Sequence, residues 1–122
     1  THHASSAASD VYKRQIEKAL QNDELDITHA YIGPHISKDH FEVKRDFIES
    51  FQEYGLNIDR YITVRDDKMY MDLRSLCEAK LHEKHVKIIN KESYCSFAKS
   101  DLFFSWRRDK NQSLRNLTIA WF

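Results

Sequence analysis

Along residues 44–54 the apolar positions fall as they would on one side of a helix. Phe47, Phe51 and Tyr54 stand at i, i+4 and i+7, with Ile48 beside them. Gly55 follows where helices commonly reverse into a left-handed turn, so the spacing predicts a helix that stops there. Residues 73–81 carry a second pattern of this kind, with Leu73, Leu76, Cys77, Ala79 and Leu81 as its apolar face. Asp72 precedes it as a natural N-cap, because its carboxylate can accept from the free backbone N–H groups of the first turn. Ile16, Ala19 and Leu20 mark a shorter amphipathic helix over residues 15–22, the end of a longer one. The strand-like pieces between these helices are brief: 27–34, stopped by Gly33-Pro34; 41–43; 61–64; and 69–71, returning after a turn at Asp66-Asp67-Lys68. A short apolar strand follows at 86–89, then a last pair at 102–107 and 117–122 joined by a polar loop. On the last strand Leu117, Ile119 and Trp121 share one face. Helices and strands alternate irregularly, with adjacent hairpins, which predicts α+β layers rather than a doubly wound parallel sheet.

Residues 1–14 lack this patterning. They are mostly small and polar, without the basic start and apolar core of a secretory signal, and they read as a tag, linker or non-native stretch. The domain is therefore drawn from residue 15 to residue 122.

Composition narrows the class. A chain of 122 residues suits one domain, and 41% hydrophobic with 31% charged residues suits a folded chain rather than a disordered one. Nineteen Lys and Arg balance nineteen Asp and Glu, which argues against a general nucleic-acid binder. The longest apolar runs fall far short of the ~20 residues that a membrane-spanning helix needs. Cys77 and Cys95 are too few for a disulfide scaffold and form no CxxC pair, so both read as free thiols of a cytoplasmic protein.

Three clusters could carry chemistry. His82-Glu83-Lys84-His85 has its histidines at i and i+3, not the i, i+4 spacing of a zinc protease helix, and reads as a solvated helix end. His29, His35 and His40 surround Gly33-Pro34 and could ligate a metal, but their loose spacing equally suits surface residues. The run Phe103 to Asp109, FFSWRRD, followed by Arg115, is the strongest local signal. On a strand Arg107 and Arg108 would face opposite ways, letting one enter a cleft. A guanidinium there suits phosphate or carboxylate, because its planar fork donates two parallel hydrogen bonds. The alternatives are pairing with Asp101 or Asp109, or RNA binding by interleaved aromatic and basic residues.

Read together, AYIGPHISKDHFEV (30–43), KMYMDLRSLCEAKL (68–81) and YCSFAKSDLFFSWRRD (94–109) resemble, in order and spacing, the bacterial laccase-domain proteins. These are also called multicopper polyphenol oxidases, purine nucleoside phosphorylases or peptidoglycan editing factors. The resemblance covers about residues 15–122, and its most specific part is the RRD segment. It implies an α+β sandwich, present here in part. It also implies phosphorolysis of adenosine, inosine and methylthioadenosine, adenosine deamination and, for some members, editing of peptidoglycan precursors. The partners it implies are a purine nucleoside and phosphate, with Arg107, Arg108 and Arg115 as candidates to hold substrate or phosphate.

The family's zinc or copper site uses a His, the Cys of an ADC motif and the His of an HAGWRG motif. Neither motif is in this sequence, and His29, His35 and His40 hold no equivalent positions. Some members carry a Cys pair where this chain has Asp39 and His40, and a CxxC of which Cys95 keeps the first Cys and Ala98 replaces the second. The expectation is a C-terminal portion of such an enzyme, without catalytic or metal-ligating residues of its own and inactive alone. The rival expectation is a non-catalytic interaction module, or one half of a split enzyme. A layered fold present in part should also leave an apolar face through which copies associate.

Overall fold

In the computed structural model, the structure describes residues 26–111 and 114–120, together with Arg14, Lys18 and Gln21. Those three isolated residues are helical and exposed, within or beside the expected first helix, whose apolar positions Ile16, Ala19 and Leu20 lie outside the described residues.

A three-stranded antiparallel sheet forms the centre, in the order β2 (Glu42–Val43), β4 (Lys68–Met71), β3 (Ile62–Arg65). The register pairs Ile62 with Met71 and Val64 with Met69 across β3–β4, and Val43 with Met69 across β2–β4. Residues directly opposite one another share a face, so Val43, Ile62, Met69 and Met71 all point to one side. The other side is polar: Lys68 meets Glu42 at 3.6 Å, and the Arg65 guanidinium lies 4.0 Å above the Tyr70 ring. Asp66 and Asp67 join β3 to β4 in two residues, both with positive φ (49° and 60°), the backbone of a type I′ hairpin turn.

Helix α1 (Arg45–Glu53) and helix α2 (Leu73–Glu83) both contribute to the apolar side. There Val43, Ile58, Met71 and Leu76 are buried, with Phe47, Ile48 and Phe51 of α1 and Leu73 of α2 packed against them. Both helices end in the same way. Leu56 N–H donates to Phe51 O (3.0 Å) and Gly55 N–H to Gln52 O (2.9 Å), with Gly55 at φ +72°. At the end of α2, Val86 N–H donates to Leu81 O (3.0 Å) and His85 N–H to His82 O (3.0 Å), and His85 itself takes the left-handed conformation at φ 59°. The His82–His85 run is therefore the closing turn of a helix, with both imidazoles exposed. Asp72 caps α2 as expected, accepting from Ser75 N–H at 3.0 Å and from the Ser75 hydroxyl at 2.8 Å.

A second, two-stranded sheet pairs β1 (His29–Ala30) with β5 (Lys87–Ile88) in parallel. The pairing continues beyond the strands through side chains. The Asn90 amide accepts from Ile32 N–H (2.9 Å) and donates to Ile32 O (2.8 Å), standing in for a strand partner. A parallel bridge between His35 and Cys95 then resumes the backbone contact. Arg74 anchors this clasp to α2, donating to Asn90 O (2.5 Å) while its Nε holds Glu78 (2.6 Å).

The C-terminal strand pair predicted from the sequence does not form among the described residues. Residues 102–107 run through a turn and an extended piece into a single helical turn, α3 (Trp106–Asp109). Residues 117–120 belong to no strand, and Leu117 (83%) and Ile119 (69%) are largely exposed. Trp121 and Phe122 lie outside the described residues. The physical reason lies in the hydrogen bonds. The Asn116 side chain takes both backbone groups of Phe104, accepting from its N–H (2.9 Å) and donating to its carbonyl (2.8 Å). Asp109 reaches back to the Ser105 N–H (3.1 Å), and Lys110 closes the turn in the left-handed region at φ 54°. Among the described residues no helix is long and apolar enough to cross a membrane.

Candidate functional site

Because Arg107 and Arg108 sit on a helical turn, they diverge by about 100° rather than lying on opposite faces of a strand. Their uses differ accordingly. A guanidinium has five N–H donors, and Arg108 spends all of them within the chain. Its Nη1 donates to Ser96 O (3.0 Å) and Phe97 O (2.6 Å), its Nη2 to Phe103 O (2.7 Å) and Asp109 Oδ2 (2.7 Å), and its Nε to Asp109 Oδ1 (2.8 Å). The pairing with Asp109 that the sequence left open is thus made, and it is bidentate. Each partner holds the other charged: the hydrogen bond from Arg108 draws the Asp109 carboxyl below its usual range, and that to Asp109 raises the guanidinium further. Arg108 positions the 96–109 loop, and no donor of it remains for a phosphate.

Arg107 turns the other way. It donates to the Glu42 carbonyl of β2, and its guanidinium lies 5.0 Å above the Phe41 ring. With Arg115 it lines an open cleft of about 390 Å³, whose walls also include Ile36, Ser96, Trp106 and Asn116. The buried Ser105 also lines it. Arg115 donates to the neighbouring Leu114 carbonyl at 2.6 Å. The fold therefore brings two of the three arginine candidates to one cavity and turns the third inward. Trp106, to which the sequence assigns no role, lines the same cavity and is 45% exposed. Its position i−1 to Arg107 on a helical turn is the signal that a strand assignment hides.

The three histidines separate. His29 is exposed, with Nδ1 2.8 Å from the Thr28 hydroxyl. His35 Nδ1 meets Gly33 O at 2.8 Å, and His40 stacks on Phe97. Among the described residues no three His, Cys, Asp or Glu side chains converge in a way that could hold a metal ion. A zinc or copper ion of the kind the family implies thus has no fitting donor set among them, and no step below is routed through one.

Cys77 and Cys95 are both free thiols. Burial pushes the Cys77 thiol up, aided by the Glu78 carboxylate and opposed by Arg74. At Cys95 burial also pushes upward, but the Ser37 hydroxyl and the N–H groups of Ser37, Ala98 and Phe97 outweigh it and bring the thiol down to about 7.

This mixed fold, with its RRD turn and arginine-lined cleft, belongs to a known class. Residues 4–122 match the family described as multi-copper polyphenol oxidoreductase laccase, and the chain belongs to that family. Among solved structures it is similar to the Neisseria meningitidis protein NMB0706, of the DUF152 family, at 32% sequence identity and a TM-score of 0.56. The match covers 66% of this chain and 34% of that one, so the chain spans about a third of that protein's length. No curated protein matches the sequence.

Proposed function

We propose that this chain is part of a laccase-domain enzyme that cleaves purine nucleosides with phosphate, and that its cleft supplies the phosphate site. The observation that carries the reading is the convergence of Arg107 and Arg115 on one cavity beside the half-exposed Trp106. In phosphorolysis a phosphate oxygen attacks the anomeric carbon of the ribose while the bond to the base nitrogen breaks. Two guanidinium groups would hold the dianion and offset its repulsion of an electron-rich leaving base. Contact with the Phe41 ring and the Glu42 carbonyl fixes the Arg107 head before any ligand arrives, which lowers the entropy lost on binding. The Trp106 face is suited to stack on a purine. The Asn116 amide is already spent on Phe104, so base recognition is not assigned to it.

The test is calorimetric titration of inorganic phosphate into the chain. A hydrogen-bonded charge contact of about 1.5–3 kcal/mol predicts that Arg107→Ala weakens binding by roughly 10- to 150-fold, and Arg115→Ala comparably. Unchanged affinity in both variants would remove the phosphate assignment. With inosine, phosphate and added zinc, the chain alone is expected to show no phosphorolysis. Turnover above that of Arg107→Ala would overturn that second expectation.

A further inference from the structure

The segment 35–40 runs beside the segment 95–98, each lending one residue, Ile36 and Ser96, to the cleft, and two further side chains distant in sequence meet there. Cys95 Sγ lies 3.8 Å from His40 Nδ1. The sulfur also accepts from Ser37 N–H (3.3 Å) and Ala98 N–H (3.4 Å). The His40 ring stacks on Phe97, with centroids 5.0 Å apart and planes inclined by 27°, and its Nδ1 also lies 3.2 Å from the Ser37 hydroxyl. The His35–Cys95 bridge fixes the backbone through His35 N–H to Tyr94 O (3.1 Å) and Ser96 N–H to His35 O (2.9 Å). Cys95 and His40 are both half-buried, so the sulfur is ordered yet reachable. Neither residue lines the arginine cleft.

We propose that Cys95 and His40 form a reactive thiol site that exchanges with small disulfides. Converging N–H groups stabilise charge on sulfur, and an imidazole in contact can carry a proton to or from it, an arrangement that a buried structural cysteine lacks. The Cys95 thiolate attacks one sulfur of a disulfide RSSR. A Cys95–SR bond forms, the RS–SR bond breaks, and the departing thiolate takes up the proton that Cys95 released, by way of the His40 ring or of water. Cys95 is oxidised and one RS group is reduced, so the exchange needs no further oxidant. The groups facing the sulfur are the His40 imidazole and the Arg108 guanidinium, a positive charge that interacts with it electrostatically; the Ser37 hydroxyl supplies a neutral donor. A thiol that titrates near 7 is half ionised at neutral pH.

The probe is oxidised glutathione at pH 7, with the mixed disulfides at Cys95 and Cys77 followed over time by peptide mass spectrometry. Moving a thiol from about 8.5 to about 7 raises its thiolate fraction ~15-fold, and the lower nucleophilicity of the more acidic sulfur removes about fivefold. Cys95 should therefore react about threefold faster in the folded chain than in urea, and at least tenfold faster than Cys77, whose thiol is shifted the other way. His40→Ala should slow Cys95 several-fold and leave Cys77 unchanged. The proposal is overturned if folded Cys95 reacts no faster than in urea, no faster than Cys77, or at the same rate in His40→Ala. A variant that unfolds is recognised by a newly reactive Cys77, and the wild-type ratio of folded to unfolded rates then decides.

Discussion

The hairpin turn at Asp66 and Asp67 allows a sharp test of how local backbone geometry sets stability. Both residues have positive φ, where a Cβ costs about 1–2 kcal/mol relative to glycine; aspartate lowers that cost by hydrogen bonding locally. Replacing Asp67 by Gly removes the steric cost and adds about 0.5–1 kcal/mol of unfolded-state entropy, which leaves a small net gain. Replacing it by Ala keeps the steric cost and discards the local hydrogen bonding. The expected order of stability is Gly at or above Asp, and Ala lowest, with Gly and Ala separated by roughly 0.5–1 kcal/mol once the unfolded-state entropy of glycine is deducted. The assay is urea unfolding followed by tryptophan fluorescence, with midpoints compared at constant slope. An Ala variant as stable as the Gly variant would refute the assignment of a two-residue left-handed turn.

Two further outcomes follow from the interior and from the Arg108–Asp109 pair. Met71 is wholly buried between β2 and β3, so Met71→Ala should cost about 2–5 kcal/mol by chemical denaturation, while Val64→Ala at the exposed sheet edge should cost under about 0.5 kcal/mol. Arg108 depresses the Asp109 carboxyl in the folded chain, so the stability from this pair is fully present above the unfolded value near 3.9 and is lost as pH falls through the lower folded value. Urea midpoints of the native chain and of Asp109→Asn should therefore differ at neutral pH and converge in acid.

Legibility along the sequence tracked the kind of force at work. The helices at 45–53 and 73–83 were readable because one face of each packs on the sheet, so burial imposed helical spacing on the residue types. The Asp72 cap and the Gly55 reversal were readable because a single residue type answers a single unsatisfied group or dihedral angle. Residues 102–107 misled because Leu102, Phe103 and Phe104 have strand-forming side chains, whereas the conformation is set by Asn116 twelve positions away and by Arg108 gathering three carbonyls. Alternation carries no trace of a side chain replacing a strand. The same blindness covers the division of labour between Arg107 and Arg108. It covers the meeting of His40 with Cys95 as well, which depends on a bridge between residues 35 and 95.

That bridge also has a consequence in time. The antiparallel sheet and α2 join neighbours in sequence and can form while the chain is still growing. The clasp between residues 28–35 and 87–96 spans 58 positions at Ile32 and Asn90, and it must wait until the whole central unit has been made. Ile36 and Ser96 of the cleft, and Cys95 with His40, acquire their neighbours only when it closes. Folding of this chain is thus expected in two stages, a local scaffold and then a late closure. The same closure, released first under stress, would dismantle both the cleft and the thiol site while the sheet and its helices stay folded.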